Sequence, residues 1–100
     1  MQKRFKGMGV AIVTPFTKEG NVDYATLEKL VQMHLDCGTD FLCVLGTTAE
    51  TPTLTMEEKR EIRKRIIKQV DGRMPIMVGI GGNCTRAVVD ELQNEDLTGV

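Results

Sequence analysis

Three short apolar runs divide the chain: Gly9-Val-Ala-Ile-Val13, Phe41-Leu-Cys-Val-Leu45 and Ile76-Met-Val-Gly-Ile80. Each is nearly continuous rather than alternating, the pattern of strands buried on both faces of a parallel sheet. Helical patterns lie between them. The first covers Asp23 to Cys37, with Asp23 suited to the N-cap and Leu27, Leu30, Val31 and Leu35 repeating as one apolar stripe. Gly38 supplies a left-handed stop. The second covers Met56 to Val70. Thr55-Met-Glu-Glu58 reads as a capping box, Ile62, Ile66 and Val70 line one face, and Asp71-Gly72 ends the helix before Pro75. A third begins near Thr85, covers Ala87 to Leu92 and is broken over 94–98.

The order is strand and helix in strict alternation, with strands beginning near 9, 41 and 76. Alternation at this spacing predicts right-handed crossovers and a parallel sheet, either doubly wound or part of a (β/α)₈ barrel. Both architectures bind ligands beyond the carboxyl ends of the strands. That rule singles out Thr14-Pro15-Phe16, Gly46 to Thr53 and Gly81 to Thr85. A fourth strand is expected to begin at Thr98-Gly99-Val100, so residues 1–100 read as the N-terminal portion of one longer domain. The rival reading is a small three-unit α/β protein acting as a non-catalytic binding module.

Composition narrows the classes. A formal net charge of −1 and 41% hydrophobic residues describe an ordinary globular chain without the basic balance of a nucleic-acid binder. The seven Lys and Arg residues from Lys59 to Arg73 are interleaved with glutamates and isoleucines, and read as a solvated helix face. Cys37, Cys43 and Cys84 lack metal-ligand spacing, and three free thiols suit a reducing compartment. His34, the only histidine, reads as a surface or partly buried residue of the first helix rather than a base. The basic start Met1 to Lys6 precedes an apolar run too short for a secretory signal, and no segment reaches membrane-spanning length. A cytoplasmic protein is expected.

The richest loop is Gly46-Thr-Thr-Ala-Glu-Thr-Pro-Thr53. Adjacent threonines at a strand end offer hydroxyls and amides, all donors suited to a small carboxylate. Turn and capping chemistry explains the same residues without a ligand. Gly79-Ile-Gly-Gly-Asn83 lets a ligand approach the backbone, but Cys84 breaks the dinucleotide pattern and a glycine turn before the helix suffices.

Val10-Ala-Ile-Val-Thr-Pro-Phe16, Gly46-Thr-Thr-Ala-Glu50 and Gly79-Ile-Gly-Gly-Asn83 resemble the first three strand-end motifs of the dihydrodipicolinate synthase family, in order and spacing, and Gly20-Asn-Val-Asp23 fits its first turn. The resemblance covers essentially the whole chain but about a third of a family member. It implies a (β/α)₈ barrel that condenses pyruvate with aspartate semialdehyde through a lysine Schiff base, toward lysine and diaminopimelate. It further implies no cofactor, no metal, no nucleic-acid or membrane partner, and a homo-oligomer, tetramer or dimer. Carried onto this sequence, Thr47 is the hydroxyl of a proton relay and Thr48 binds the pyruvate carboxylate. Ala11 lines the pocket floor, Glu50 braces the loop and Asn83 belongs to a lysine-effector site. The sister sialic-acid and keto-deoxy-sugar lyases are the alternative within the superfamily, although sialic-acid lyases usually carry a serine in the threonine pair.

Ala49 departs from the family's usual glycine, and the expectation is that this position does not need positive φ. Met56, Lys59 and Ala87 depart from the residues common in lysine-sensitive members. The imine lysine and its partner tyrosines are expected beyond Val100. Lys59, Lys64 and Lys68 read as solvated helix-surface ammoniums, poor nucleophiles.

Overall fold

The computed structural model describes residues 6–100, with the side chain of Thr47 outside the described set. Strands β1 (Gly9–Ala11), β2 (Phe41–Val44) and β3 (Ile76–Val78) alternate with helices α1 (Tyr24–Cys37), α2 (Met56–Val70) and α3 (Thr85–Asn94). The strands form one parallel sheet in the order β1-β2-β3, with Ala11 beside Cys43 and Cys43 beside Met77.

The predicted punctuation sets the helix limits. Asp23 accepts from the Thr26 amide at 3.1 Å and from its hydroxyl at 2.8 Å, and Gly38 closes α1 at φ 77°. Those two donors, the amide foremost, hold the Asp23 carboxyl below its ordinary range. The capping box of α2 is formed in both directions, at 2.8 and 3.1 Å. Asp71 and Gly72, both left-handed, end that helix.

The core is one layer between sheet and helices. Leu27 and Val31 of α1 and Ile62, Ile66 and Val70 of α2 pack with Leu42, Val44 and Ile76, all at most 3% exposed. Side chains on alternate strand positions point the other way. Met77 is 42% exposed, and Ala11 and Val13 are exposed. This corrects the expectation of strands buried on both faces: the molecule, 37 × 35 × 20 Å, is about one sheet and one helix thick. The strands are also shorter than the apolar runs. Leu45 turns left-handed at φ 59° and ends β2, although Ile12 and Gly79 still donate to the Cys43 and Val44 carbonyls.

A doubly wound sheet would carry α3 to the opposite face. Instead α3 lies beside α2, joined by Lys59–Glu91 (3.1 Å), Arg60–Glu95 (3.0 Å) and Arg63–Glu95 (2.6 Å). All three helices therefore cover one face, as in consecutive βα units of a (β/α)₈ barrel. These pairs correct the solvated-face reading of the basic run at two positions, since Arg63 is 8% exposed and Lys59 partly buried, while Arg60, Lys64, Lys68 and Arg73 are exposed as expected. The reason is tertiary, since the partner carboxylates are Glu91 of α3 and Glu95, the residue that follows it. The expected fourth strand is not formed by the described residues; Thr98–Gly99 make a turn, closed by Val100 donating to Leu97 at 3.1 Å.

Candidate functional site

The strand carboxyl ends carry the loops 12–16, 45–55 and 79–84. The middle loop is built from two 3-10 turns, Thr47–Ala49 and Thr51–Thr53, separated by Glu50 in the left-handed region at φ 60°. The Ala49 amide donates to the Gly46 carbonyl at 3.0 Å, closing the first turn around the threonine pair. Ala49 is 1% exposed and has no positive φ, so alanine is accommodated where the family usually carries glycine. The second turn closes on the Glu50 carbonyl, which accepts from the Thr53 amide (3.0 Å) and hydroxyl (2.8 Å). Glu50 therefore holds the loop through its backbone, while its carboxylate is exposed and caps nothing.

Thr48 is exposed on the first turn, and the backbone of Thr47 lies beside it. Ala11, the last residue of β1, faces away from the helices in register with Cys43. Asn83 is exposed beyond β3. Between the second and third loops opens a cleft of about 650 Å³. It is lined by Gly46, Thr51 and Pro52 on one side, Gly79 to Asn83 on the other, and Lys59 from α2. It brings Asn83 toward the threonine loop, but Thr48, Ala11 and Glu50 do not line it. Among the described residues no group of three His, Cys, Asp or Glu side chains is placed to hold a metal, and no helix is long and apolar enough to cross a membrane. His34 is half-buried with Nδ1 2.9 Å from the Thr39 hydroxyl, away from these loops.

The sequence reading missed Leu45 and misjudged Gly79. A Cβ at Gly79 would lie 2.7 Å from the Leu45 carbonyl oxygen and 3.2 Å from the Gly46 Cα. That glycine accommodates the chain's own backbone, whereas Gly81 and Gly82 face the cleft. A leucine carries no signal for left-handed backbone, so only the glycine immediately after the strand hinted at the close approach.

The model of the dihydrodipicolinate synthetase family matches residues 4–100. The chain belongs to this family. Among dihydrodipicolinate synthetase family members it is similar to the 4-hydroxy-tetrahydrodipicolinate synthase of Phocaeicola vulgatus, 61% identical over 100 residues, all of this chain and 34% of that protein. The synthase of Parabacteroides distasonis is 55% identical over 95 residues, 95% of this chain and 32% of that one. The chain thus spans about a third of the length of the curated relatives it matches. Of solved structures, dihydrodipicolinate synthase from Thermotoga maritima superposes with TM-score 0.84 at 40% identity, covering 90% of this chain and 30% of that one. N-acetylneuraminate lyase from Mycoplasma synoviae superposes with TM-score 0.81 at 30% identity, covering 91% and 31%. The three units of this dihydrodipicolinate synthetase family chain are the first βα units of a (β/α)₈ barrel.

Proposed function

We propose that these 100 residues are the opening part of a single-domain barrel lyase that joins pyruvate to aspartate semialdehyde through a lysine Schiff base, in lysine and diaminopimelate biosynthesis. The observation that carries the reading is the Gly46-Thr-Thr-Ala-Glu50 turn at the carboxyl end of the central strand, held rigid by the Ala49–Gly46 bond. The names of the two synthases compared above support it.

In this reading the Thr48 hydroxyl and the amides of its turn bind the pyruvate carboxylate. The Thr47 hydroxyl passes a proton between the imine region and solvent. Ala11, small and facing away from the helices, leaves room for the methyl group of pyruvate on the pocket floor. Glu50 fixes the far end of the turn. The covalent step requires an amine at a strand end. It forms a C=N bond to the keto carbon with loss of water, so that a methyl proton can leave and the enamine carbon can attack the aldehyde. No described lysine stands at a strand end: Lys59, Lys64 and Lys68 lie on α2, Lys29 on α1, Lys6 before β1, and Lys18 seven residues beyond Ala11 in the loop leading to α1. That amine therefore belongs to a part of the enzyme beyond these residues. Asn83, in the cleft between the second and third loops, is assigned to a lysine-effector site, where Lys59 paired with Glu91 opposes a cationic ligand. The enzyme is cytoplasmic and homo-oligomeric.

The sister lyase reading is favoured by the likeness to N-acetylneuraminate lyase, and the threonine pair opposes it. Borohydride reduction of the whole enzyme with pyruvate should add one reduced pyruvate by mass. Turnover with aspartate semialdehyde, and none with sialic acid, is the expected profile. No adduct would end the Schiff-base reading; the reverse profile would move the enzyme to the sister class.

A further inference from the structure

We propose that Gly79 and Leu45 form a backbone lock that sets the position of the threonine turn, making both positioning residues for the reaction proposed above, on which this inference rests.

Three observations converge on the junction of β2 and β3. Leu45 is held left-handed at φ 59°, a conformation that is strained for a branched L-residue and persists only when its surroundings impose it. Its side chain is 5% exposed, anchored in the core with Leu54, so the turn cannot relax by swinging the leucine out. The Gly79 amide donates to the Val44 carbonyl at 2.8 Å, which extends the ladder one residue past β3 and draws the two chains together. Absence of a side chain at Gly79 is what admits the Leu45 carbonyl, because the atoms a Cβ would strike are main-chain atoms of Leu45 and Gly46 and cannot rotate away.

The lock acts on the residues that follow. Gly46 leaves the junction directly into the turn, and its carbonyl accepts from Ala49 at 3.0 Å. Ala49 is itself buried at 1% exposure. The threonine pair is thus suspended between two buried anchors, Leu45 and Ala49. Movement of the Leu45 peptide displaces the first anchor and carries the threonines with it. Displacements of about 1 Å are enough to matter for a positioned proton-transfer group.

Two readouts on the whole enzyme test the lock separately from the function. Hydrogen exchange of the Ala49 amide, which closes the turn on the Gly46 carbonyl, reports the turn whether or not the enzyme turns pyruvate over. In Gly79→Ala that exchange should quicken at least tenfold while α1 stays as protected as before. Unchanged exchange at Ala49 would overturn the lock. A double-mutant cycle reports its catalytic consequence. Gly79→Ala should lower kcat at least tenfold, and Thr47→Val should cost much less in that background than in the unsubstituted enzyme. Losses that simply multiply would show that Gly79 does not act through the turn. Should Gly79→Ala fail to fold, Leu45→Ala keeps the glycine, removes the buried anchor and must show the same loop exchange and the same coupling. If the unsubstituted enzyme forms no pyruvate adduct while loop exchange responds as expected, the lock stands and the functional reading falls.

Discussion

Leu45 and Glu50, both left-handed, bracket four residues, two of them the threonines proposed above for proton transfer and carboxylate binding. Removing the Thr47 hydroxyl while keeping a β-branched side chain tests that assignment with little backbone disturbance. Thr47→Val in the whole enzyme should lower kcat about a hundredfold or more, the size of a lost acid–base group, with little change in thermal midpoint. Steady-state kinetics and a melting curve check this; full activity would take Thr47 out of the relay. Much of the residue scale was legible because caps and turns follow local chemistry. Asp23, Gly38, Thr55 with Glu58, and Asp71 with Gly72 all act where the pattern placed them. The tolerance of Ala49 was legible too. The backbone of Leu45 was not, because its conformation comes from contact with a segment more than thirty residues away.

Elements show the same division. The apolar stripes of α1 and α2 predicted their buried faces, but Lys59 and Arg63 looked solvated because their partners, Glu91 and Glu95, come from a segment some thirty residues on. Glu95 is the hub. Its side chain is 3% exposed, and burial alone would push its carboxyl up. Hydrogen bonds from Arg63 and then Arg60 outweigh this and hold it below the ordinary glutamate range. The folded form therefore binds this proton less readily than the unfolded form. The stabilisation is present above the ordinary glutamate range and is lost as pH falls through it and below. Protection factors of the α3 amides, each referred to the slower intrinsic exchange in acid, should fall on going from neutral pH to about pH 3–4. Glu95→Gln should bring that loss to neutral pH, at a cost of about 2 kcal/mol for a guanidinium left without its carboxylate. It should also flatten the acid response of α3, leaving that of the Asp23 cap on α1 intact. An α3 that titrates as before in Glu95→Gln would remove this carboxylate from the docking.

At the scale of the molecule, continuous apolar strands implied two covered faces, and one is covered here. The order of elements and the parallel sheet were legible because each unit closes locally. The uncovered face was not, because hydrophobic periodicity reports what a strand needs rather than which residues meet the need. In the proposed barrel, further strands cover the row Ala11, Cys43 and Met77. The 100 residues made alone should accordingly self-associate in sedimentation experiments. They should also gain no mass from pyruvate and borohydride; a stable lysine adduct would contradict the division of labour proposed here. The docking of α3 carries a consequence for assembly. No residue of that helix is buried, and its described side-chain bonds to α2 are all between opposite charges. The sheet, Ile76 of β3 included, and the first two helices condense on oil-like contacts, whereas α3 alone is fastened by charge. Dissolved salt reaches the exposed Arg60 arm of that fastening before the buried Arg63 arm, so ionic strength loosens the seam from its rim inward.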